Sequence, residues 1–452
     1  MKIHFIAIGG SAMHNLAIAM HQKGFIITGS DDEIVEPSRS RLSLLGLLPE
    51  QMGWFPDKID QHVDAVILGM HARADNPELI RAKELGLKIF SYPEYIYEQC
   101  KDKIRIVVGG SHGKTTITAM ILHVLHHRGI DCDYLVGAQL EGFNAMVRLT
   151  NKARFAVIEG DEYLSSPLDP RPKFHLYHPH IAILSGIAWD HINVFPTFEM
   201  YVDQFRIFMN LIEQEGSLVY CEADPEVKCL AEQSRKDIRK LPYGVPVYSV
   251  EQGITTLEYQ GTRYPLQIFG EHNLMNLNGA RLVCNQAGVS DGDFYEAMTS
   301  FKGAAKRLEL VKSGPGYNVY KDFAHSPSKL KATTAAVKTQ FPDRTLIACM
   351  ELHTFSSLNE QFLNEYRGAM DSATEAYVYF NPHTIAHKKL KPISPEQVRE
   401  AFGTKGLQVF TDSAELMKVL KQKHWNNSNL LLMSSGNFDG VDFKELAETL
   451  KP

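Results

Sequence analysis

Cysteine is scarce in this 452-residue chain. The six residues, at positions 100, 132, 221, 229, 284 and 349, include no CxxC pair. Scattered thiols in a long chain exclude a disulfide framework and a zinc knuckle, and read as a reduced, cytoplasmic protein. Long apolar runs are also missing. No stretch approaches the ~18 residues of a membrane helix, and the opening Met1-Lys2-Ile3-His4-Phe5-Ile6-Ala7-Ile8 ends in Gly9-Gly10, so it reads as a strand and not as a signal peptide. There is no excess of positive charge: Lys and Arg number 47 against 53 Asp and Glu, a net charge of −6. Without a basic face to neutralise phosphates, nucleic acid is not expected as a partner. Internal repeats and low-complexity tracts are absent.

What is present is ordinary globular material. Hydrophobic residues make up 44%, enough for several cores, and the length allows two to four domains at roughly 100–200 residues each. Strand-like runs alternate with helix-period segments: 3–8, then 12–23, then 25–28. The alternation restarts at 104–108, which leads into a glycine loop and a helix over 115–128. It restarts again near 317–320, followed by strand-like runs at 345–350, 376–380 and 430–433. Such alternation predicts parallel sheets with crossover helices. Three restarts predict an α/β chain of three domains, 1–102, 103–303 and 304–452. The stretch 235–270 has more two-residue alternation and is read as an antiparallel edge on the middle domain.

The strongest local signal is Val107-Val108-Gly109-Gly110-Ser111-His112-Gly113-Lys114-Thr115-Thr116. A buried strand ends in glycines, whose backbone N–H groups can close on phosphate oxygens, and a helix N-terminus follows. Lys114 can reach the outer phosphates and the Thr115 hydroxyl can meet Mg²⁺. The spacing is G-x-x-G-K-T-T, since Val108 stands where the longer P-loop pattern needs glycine. Gly9-Gly10 followed by Ser11 is a weaker signal, because G-x-G-x-x-G is not completed. Asp31 lies 22 residues after Gly9, where a ribose-binding acid belongs; a plain α/β turn explains these residues equally well.

Two further apolar runs end in polar clusters, Glu159-Gly160-Asp161-Glu162 and Trp189-Asp190-His191. Parallel sheets bind ligands at the carboxyl ends of their strands, which places both clusters on the side of the phosphate loop. There a carboxylate, a histidine and waters can hold Mg²⁺ on phosphate oxygens. Taken alone, the acidic cluster reads as a solvated turn. His123, His126 and His127 read as ordinary helix positions. His175, His178 and His180 lie in a proline-broken stretch, where a zinc site is the less favoured reading.

Together these residues resemble the Mur ligases. Gly110-Ser111-His112-Gly113-Lys114-Thr115-Thr116, Glu159-Gly160-Asp161-Glu162, Asp190-His191 and Gly270-Glu271-His272-Asn273 with Asn276 follow that family's order. So do Lys306-Arg307-Leu308-Glu309, Asp322-Phe323-Ala324-His325-Ser326-Pro327 and Ser434-Ser435-Gly436-Asn437. The resemblance spans the chain and implies a Rossmann-like N-terminal domain for a UDP-sugar, a central P-loop ATPase domain and a Rossmann-like C-terminal domain. It implies ATP and Mg²⁺, with UDP-N-acetylmuramate and an amino acid or peptide as substrates. Carried over by position, Gly110 to Thr116 would contact ATP, with Lys114 and Thr115 on its phosphates and Mg²⁺. Thr115, Glu159 and His191 would ligate the metal. Asn276 would meet adenine, and Arg307 and Asp322 would reach the nucleotide. His325 and His353 would stand near the reacting groups, and Gly9, Gly10, Ser11 and Asp31 near the UDP-sugar. Within the family, residues 155–179, with Glu162-Tyr163 and Arg171-Pro172-Lys173-Phe174, resemble the recycling branch. That branch attaches L-alanyl-γ-D-glutamyl-meso-diaminopimelate; the branch using L-alanine shares most motifs and is the alternative.

Departures exist. No lysine lies between Lys173 and Lys228, so the carbamylated lysine of other branches is missing, and His353 is followed by Thr354 where arginine is common. Other classes explain less. A nicotinamide-dependent oxidoreductase would leave the Gly-Lys-Thr loop without a role. A nucleotide hydrolase would release ADP without both ligase substrates. Folylpolyglutamate and cyanophycin synthetases lack a separate first domain like residues 1–100, and a non-catalytic UDP-sugar binder needs no Lys114, Glu159 and His191.

Overall fold

The computed structural model describes all residues except 71, 139–142, 144, 192–193, 305–306 and 452; the motif residue Lys306 lies outside the described residues. The chain packs as two compact units, residues 1–244 with 277–297, and residues 245–276 with 298–452.

The first unit holds two sheets. A four-stranded parallel sheet has the order Ile26–Ser30, Lys2–Ile6, Ala65–Leu68, Ile89–Ser91. A seven-stranded sheet runs Arg239–Tyr243, Ser217–Cys221, Ile181–Leu184, Ile104–Gly109, Phe155–Glu159, Cys132–Leu135 and Val147–Arg148, all parallel except the last pair. Its central strands are continuous apolar runs because helices cover both faces, and Ile106, Val107, Val108, Ala182, Ile183 and Leu184 are fully buried. The loops at the carboxyl ends of three adjacent strands therefore share one edge.

A buried guanidinium secures the entry to that sheet. Arg105 Nε donates to the carbonyls of Tyr177 and His178, both at 2.9 Å, Nη1 to those of Lys101 (2.5 Å) and Lys103 (3.2 Å), and Nη2 to Glu213 at 2.9 Å. One fork of five donors thus ties the end of the helix Tyr92–Cys100 to the segments on either side of the strand Ile181–Leu184 and its helix.

The second unit carries a six-stranded sheet of order Glu309–Gly314, Tyr317–Asp322, Ser428–Met433, Thr345–Leu352, Glu375–Phe380, Gln408–Phe410, antiparallel only in its first pair. The antiparallel edge expected on the middle sheet is not found at 235–270. Tyr248–Glu251, Ile254–Tyr259 and Thr262–Leu266 form a sheet of their own; within 235–270 only Arg239–Tyr243 joins the seven-stranded sheet, and it is parallel, while the antiparallel edge is Val147–Arg148. Gln252-Gly253 and Gln260-Gly261, all at positive φ, make tight two-residue hairpin turns. The three-stranded sheet is pinned by Gln340, which accepts from Thr255 Oγ1 at 3.0 Å and donates to the Gly253 carbonyl at 2.6 Å.

Candidate functional site

The phosphate-loop sequence becomes a strand, a turn and the helix Lys114–His127. Gly110 has φ +128° and Gly113 φ +78°, a region that side chains disfavour. A Cβ on Gly110 would also strike the Ser185 hydroxyl and meet Ser185 N at 3.0 Å. The neighbouring strand end holds the loop closely: Ser111 N donates to the Gly186 carbonyl at 2.9 Å, and the Ser185 hydroxyl donates to the His112 carbonyl. Thr115 and Thr116 are buried at the helix start.

The side chains above this loop form one network. Lys114 Nζ donates to the Gly110 carbonyl at 2.7 Å and to Glu162 Oε2 at 2.6 Å. Burial favours the neutral amine, but Glu162, Asp161 and Glu159 outweigh it and hold Lys114 as an ammonium above its usual range. Glu162 is 1% exposed, so the reading of a solvated turn fails for it, whereas the Asp161 side chain remains 41% exposed. Burial opposes its charge, yet Lys114 and His191 keep its carboxyl well below the usual range. His191 Nε2 stands 3.7 Å from Glu162 Oε1. Burial would lower the His191 pKa; hydrogen bonding to Glu162 and the nearby Asp190 reverse this and raise it. Glu159 accepts from Thr115 Oγ1 at 2.8 Å and from Gly137 N at 2.7 Å. Its burial pushes the carboxyl up despite those donors.

Sequence reasoning missed three supports of this network. Tyr201, on the helix Phe198–Asn210, places its hydroxyl 2.8 Å from Ser111 Oγ and 3.2 Å from Glu162 Oε1. Asp224 accepts from Ile187 N at 2.9 Å while capping the helix Pro225–Gln233. Glu162, part of the acidic cluster and of the Glu162-Tyr163 pair that resembles the recycling branch, carries no role of its own in the sequence reading. The spacing of an aromatic residue on an amphipathic helix signals core, and nothing in it distinguishes a tyrosine with a polar task. The three histidines at 175, 178 and 180 do not converge: His175 Nε2 bonds the Gln204 carbonyl at 2.8 Å, His178 packs on Tyr97, and His180 Nδ1 accepts from Arg105 N at 3.2 Å.

In the four-stranded sheet, Asp31 is buried and accepts from Gly9 N at 2.7 Å. Gly9 and Gly10 are half-buried, and Ser11 is exposed at the start of the helix Ser11–Gln22. Burial raises the Asp31 pKa to about 6, with the Gly9 N–H pulling the other way.

In the second unit, Arg307, Asp322, His325 and His353 lie at the carboxyl edge of the six-stranded sheet. Asp322 accepts from Leu308 N at 2.5 Å and Ala324 N at 2.6 Å. The Arg307 guanidinium lies over the Phe323 ring at 4.9 Å, and His325 Nδ1 bonds the Phe323 carbonyl at 2.8 Å. His353 Nδ1 is 3.6 Å from Glu351, whose other oxygen accepts from Phe438 N at 2.8 Å and from the Ser434 hydroxyl. The late Ser434-Ser435-Gly436-Asn437 turn is thereby folded onto His353; a Cβ at Gly436 would meet that ring at 3.0 Å. Asn276 is buried on the helix Glu271–Gln286.

Three family models match this chain: the Mur ligase family, catalytic domain, over residues 2–103; the Mur ligase middle domain over 108–284; and the Mur ligase, glutamate ligase domain over 306–436. A UDP-N-acetylmuramate–L-alanine ligase from Arthrobacter sp. (strain FB24) is 30% identical over 83% of this chain and 80% of its own. The chain belongs to the Mur ligase family. It is an ATP-dependent carbon–nitrogen ligase of peptidoglycan synthesis, with the family's three-domain α/β architecture. Among solved Mur ligases, the UDP-N-acetylmuramate:L-alanyl-γ-D-glutamyl-meso-diaminopimelate ligase from Neisseria meningitides is 26% identical, covering 67% of this chain and 98% of its own, with a TM-score of 0.59. The UDP-N-acetylmuramate–alanine ligase from Thermotoga maritima shares the fold at TM-score 0.69 and 21% identity, over 97% of this chain and 96% of its own. Among the described residues, no helix is long and apolar enough to cross a membrane.

Proposed function

We propose that this Mur ligase joins the lactyl carboxylate of UDP-N-acetylmuramate to the α-amino group of an L-alanyl donor. The observation that carries the reading is the Lys114 ammonium, held over a glycine loop at a helix N-terminus by a buried glutamate. That arrangement suits charge developing on a transferred phosphoryl group. A carboxylate oxygen attacks the γ-phosphorus, the bond to the ADP oxygen breaks, and an acyl phosphate results. The amine then attacks the acyl carbon, phosphate leaves, and the nitrogen gives up its extra proton.

The roles proposed here are those the family resemblance implies; the geometry of the phosphate loop supports those of Lys114, Thr115 and Glu159. Lys114 and the N–H groups of residues 110–116 neutralise and align the phosphates. The Thr115 hydroxyl and the Glu159 carboxylate, 2.8 Å apart, suit Mg²⁺ held jointly by protein and phosphate oxygens, and the resemblance adds His191; among the described residues no three acidic, histidine or cysteine groups make a cage by themselves. Bound there, Mg²⁺ would neutralise phosphate charge. The resemblance assigns Arg307 and Asp322 to the nucleotide as well. Asn276 is assigned to adenine, and His325 and His353 to the reacting groups. Gly9, Gly10, Ser11 and Asp31 are assigned to the UDP-sugar.

For the donor, free L-alanine is supported by the name of the Arthrobacter relative at 30% identity. A second reading, the tripeptide L-alanyl-γ-D-glutamyl-meso-diaminopimelate, rests on the resemblance of residues 155–179 to the recycling branch. The Neisseria enzyme, named for that tripeptide, supports it at 26% identity. Incubation with ATP, Mg²⁺, UDP-N-acetylmuramate and both donors at equal concentration, with products weighed by mass spectrometry, separates the two. Consumption of neither donor would overturn the ligase assignment to UDP-N-acetylmuramate.

A further inference from the structure

Tyr201 lies on the buried face of its helix with Val202, Phe205, Phe208 and Met209. It packs against Phe195 and Phe205 at ring separations of 5.6 and 5.1 Å. Phenylalanine would fill that place equally well. A buried phenol instead needs hydrogen-bond partners, and here both belong to the nucleotide site.

The donors and acceptors run in one direction. Ala188 N donates to Ser111 Oγ at 2.9 Å, which frees the serine proton for Tyr201 Oη at 2.8 Å. The tyrosine proton then goes to Glu162 Oε1 at 3.2 Å. The other carboxylate oxygen takes the Lys114 ammonium at 2.6 Å. The five residues come from four segments: the loop after Leu184, the phosphate loop with the helix start that carries Lys114, the helix Phe198–Asn210 and the loop after Glu159. We propose that Tyr201 is a positioning residue for phosphoryl transfer: it fixes the rotation of the Glu162 carboxylate and, through it, the place of the Lys114 ammonium. This rests on the ligase reading above. Removing the hydroxyl leaves Glu162 Oε1 with only the more distant His191, at 3.7 Å, among the partners described here. The carboxylate can then turn and the ammonium moves with it. Displacement of an aligned group by about 1 Å can cost a hundredfold in rate.

The test is Tyr201→Phe, which keeps the ring packing. The expected result is a kcat about tenfold lower and an affinity for Mg·ADP, read by calorimetry, several-fold weaker. The KM for UDP-N-acetylmuramate should stay within twofold and the melting temperature close to that of the parent. In a Glu162→Gln background the same change should cost less than twofold, because the hydroxyl acts through that carboxylate. A kcat and Mg·ADP affinity within twofold of the parent would overturn the proposal, as would a full tenfold loss in the Glu162→Gln background. Should Tyr201→Phe fail to fold, Ser111→Ala removes the donor that turns the Tyr201 proton toward Glu162 and should show the same non-additivity to a smaller extent; full additivity with Glu162→Gln would overturn the proposal. If the parent protein ligates neither donor, the ligase reading fails by itself; the nucleotide affinity still decides the role of Tyr201.

Discussion

Lys114 is surrounded by carboxylates before any substrate arrives, so its substitution has two separable effects. Lys114→Ala is expected to abolish ligation, since loss of one contact to a transferring phosphoryl group costs several kcal/mol of barrier. It also leaves Glu162 buried without its cation, and removal of one partner from such a pair costs about 3 kcal/mol or more. The double variant Lys114→Ala/Glu162→Gln should recover most of the lost melting temperature and none of the activity. Recovery of turnover in either variant would remove Lys114 from the mechanism. Asp31 gives a pH-dependent expectation. Its folded pKa is raised to about 6 from 3.8, so the protonated form is the one the fold favours. Its stabilising contribution is complete below about pH 3.8 and is lost as pH rises through 6. Asp31→Asn should therefore gain stability relative to the parent between pH 4 and pH 7. A difference that stays flat across that range would contradict the buried, raised carboxyl.

At the scale of elements, the arginine fork is the most consequential single joint. Arg105→Ala strands several buried carbonyls and is expected to destabilise by roughly 3–5 kcal/mol. Arg105→Lys should recover little, because one ammonium cannot span acceptors on three segments. Denaturant unfolding of the two variants decides between a fork and a simple charge. The Gly110→Ala variant combines a positive φ with a collision at Ser185; it should lose nucleotide binding before it loses the fold. These elements were unequally legible in the sequence. The phosphate-loop helix, expected over 115–128, spans Lys114–His127, because its start needs a glycine, a cation and a hydroxyl in fixed order. The short sheet at 248–266 was legible as alternation. Its attachment was not: a two-residue period says that one face is buried, not against what. The pairing of Glu162 with Lys114 and Tyr201 stayed hidden for a related reason. Each meets its partner across 39 to 90 residues of chain, and local pattern carries no information at that range.

For the whole molecule, the second unit borrows residues 245–276 from the middle of the chain. Phe269 packs with Leu330, Val337 and Leu346 in its core, and Gly253 lies against Phe341. A fragment of residues 304–452 alone should thus unfold without a sharp transition and be cut rapidly by protease. Cooperative unfolding of that fragment would show the borrowed strands to be dispensable. The seven-stranded sheet has a further consequence, for synthesis. Its middle strand, Ile104–Gly109, pairs with Phe155–Glu159 on one side and Ile181–Leu184 on the other, and the loop it carries leans on Ser185 and Gly186. While the ribosome is still making residue 150, the glycine loop exists as sequence but has no walls. Non-local pairing of this kind forms late. Nascent chains arrested before residue 185 reaches the tunnel exit should leave the loop open to protease, whereas chains arrested with residue 244 outside should protect it; the phosphate cradle gains its walls in one step, midway through translation.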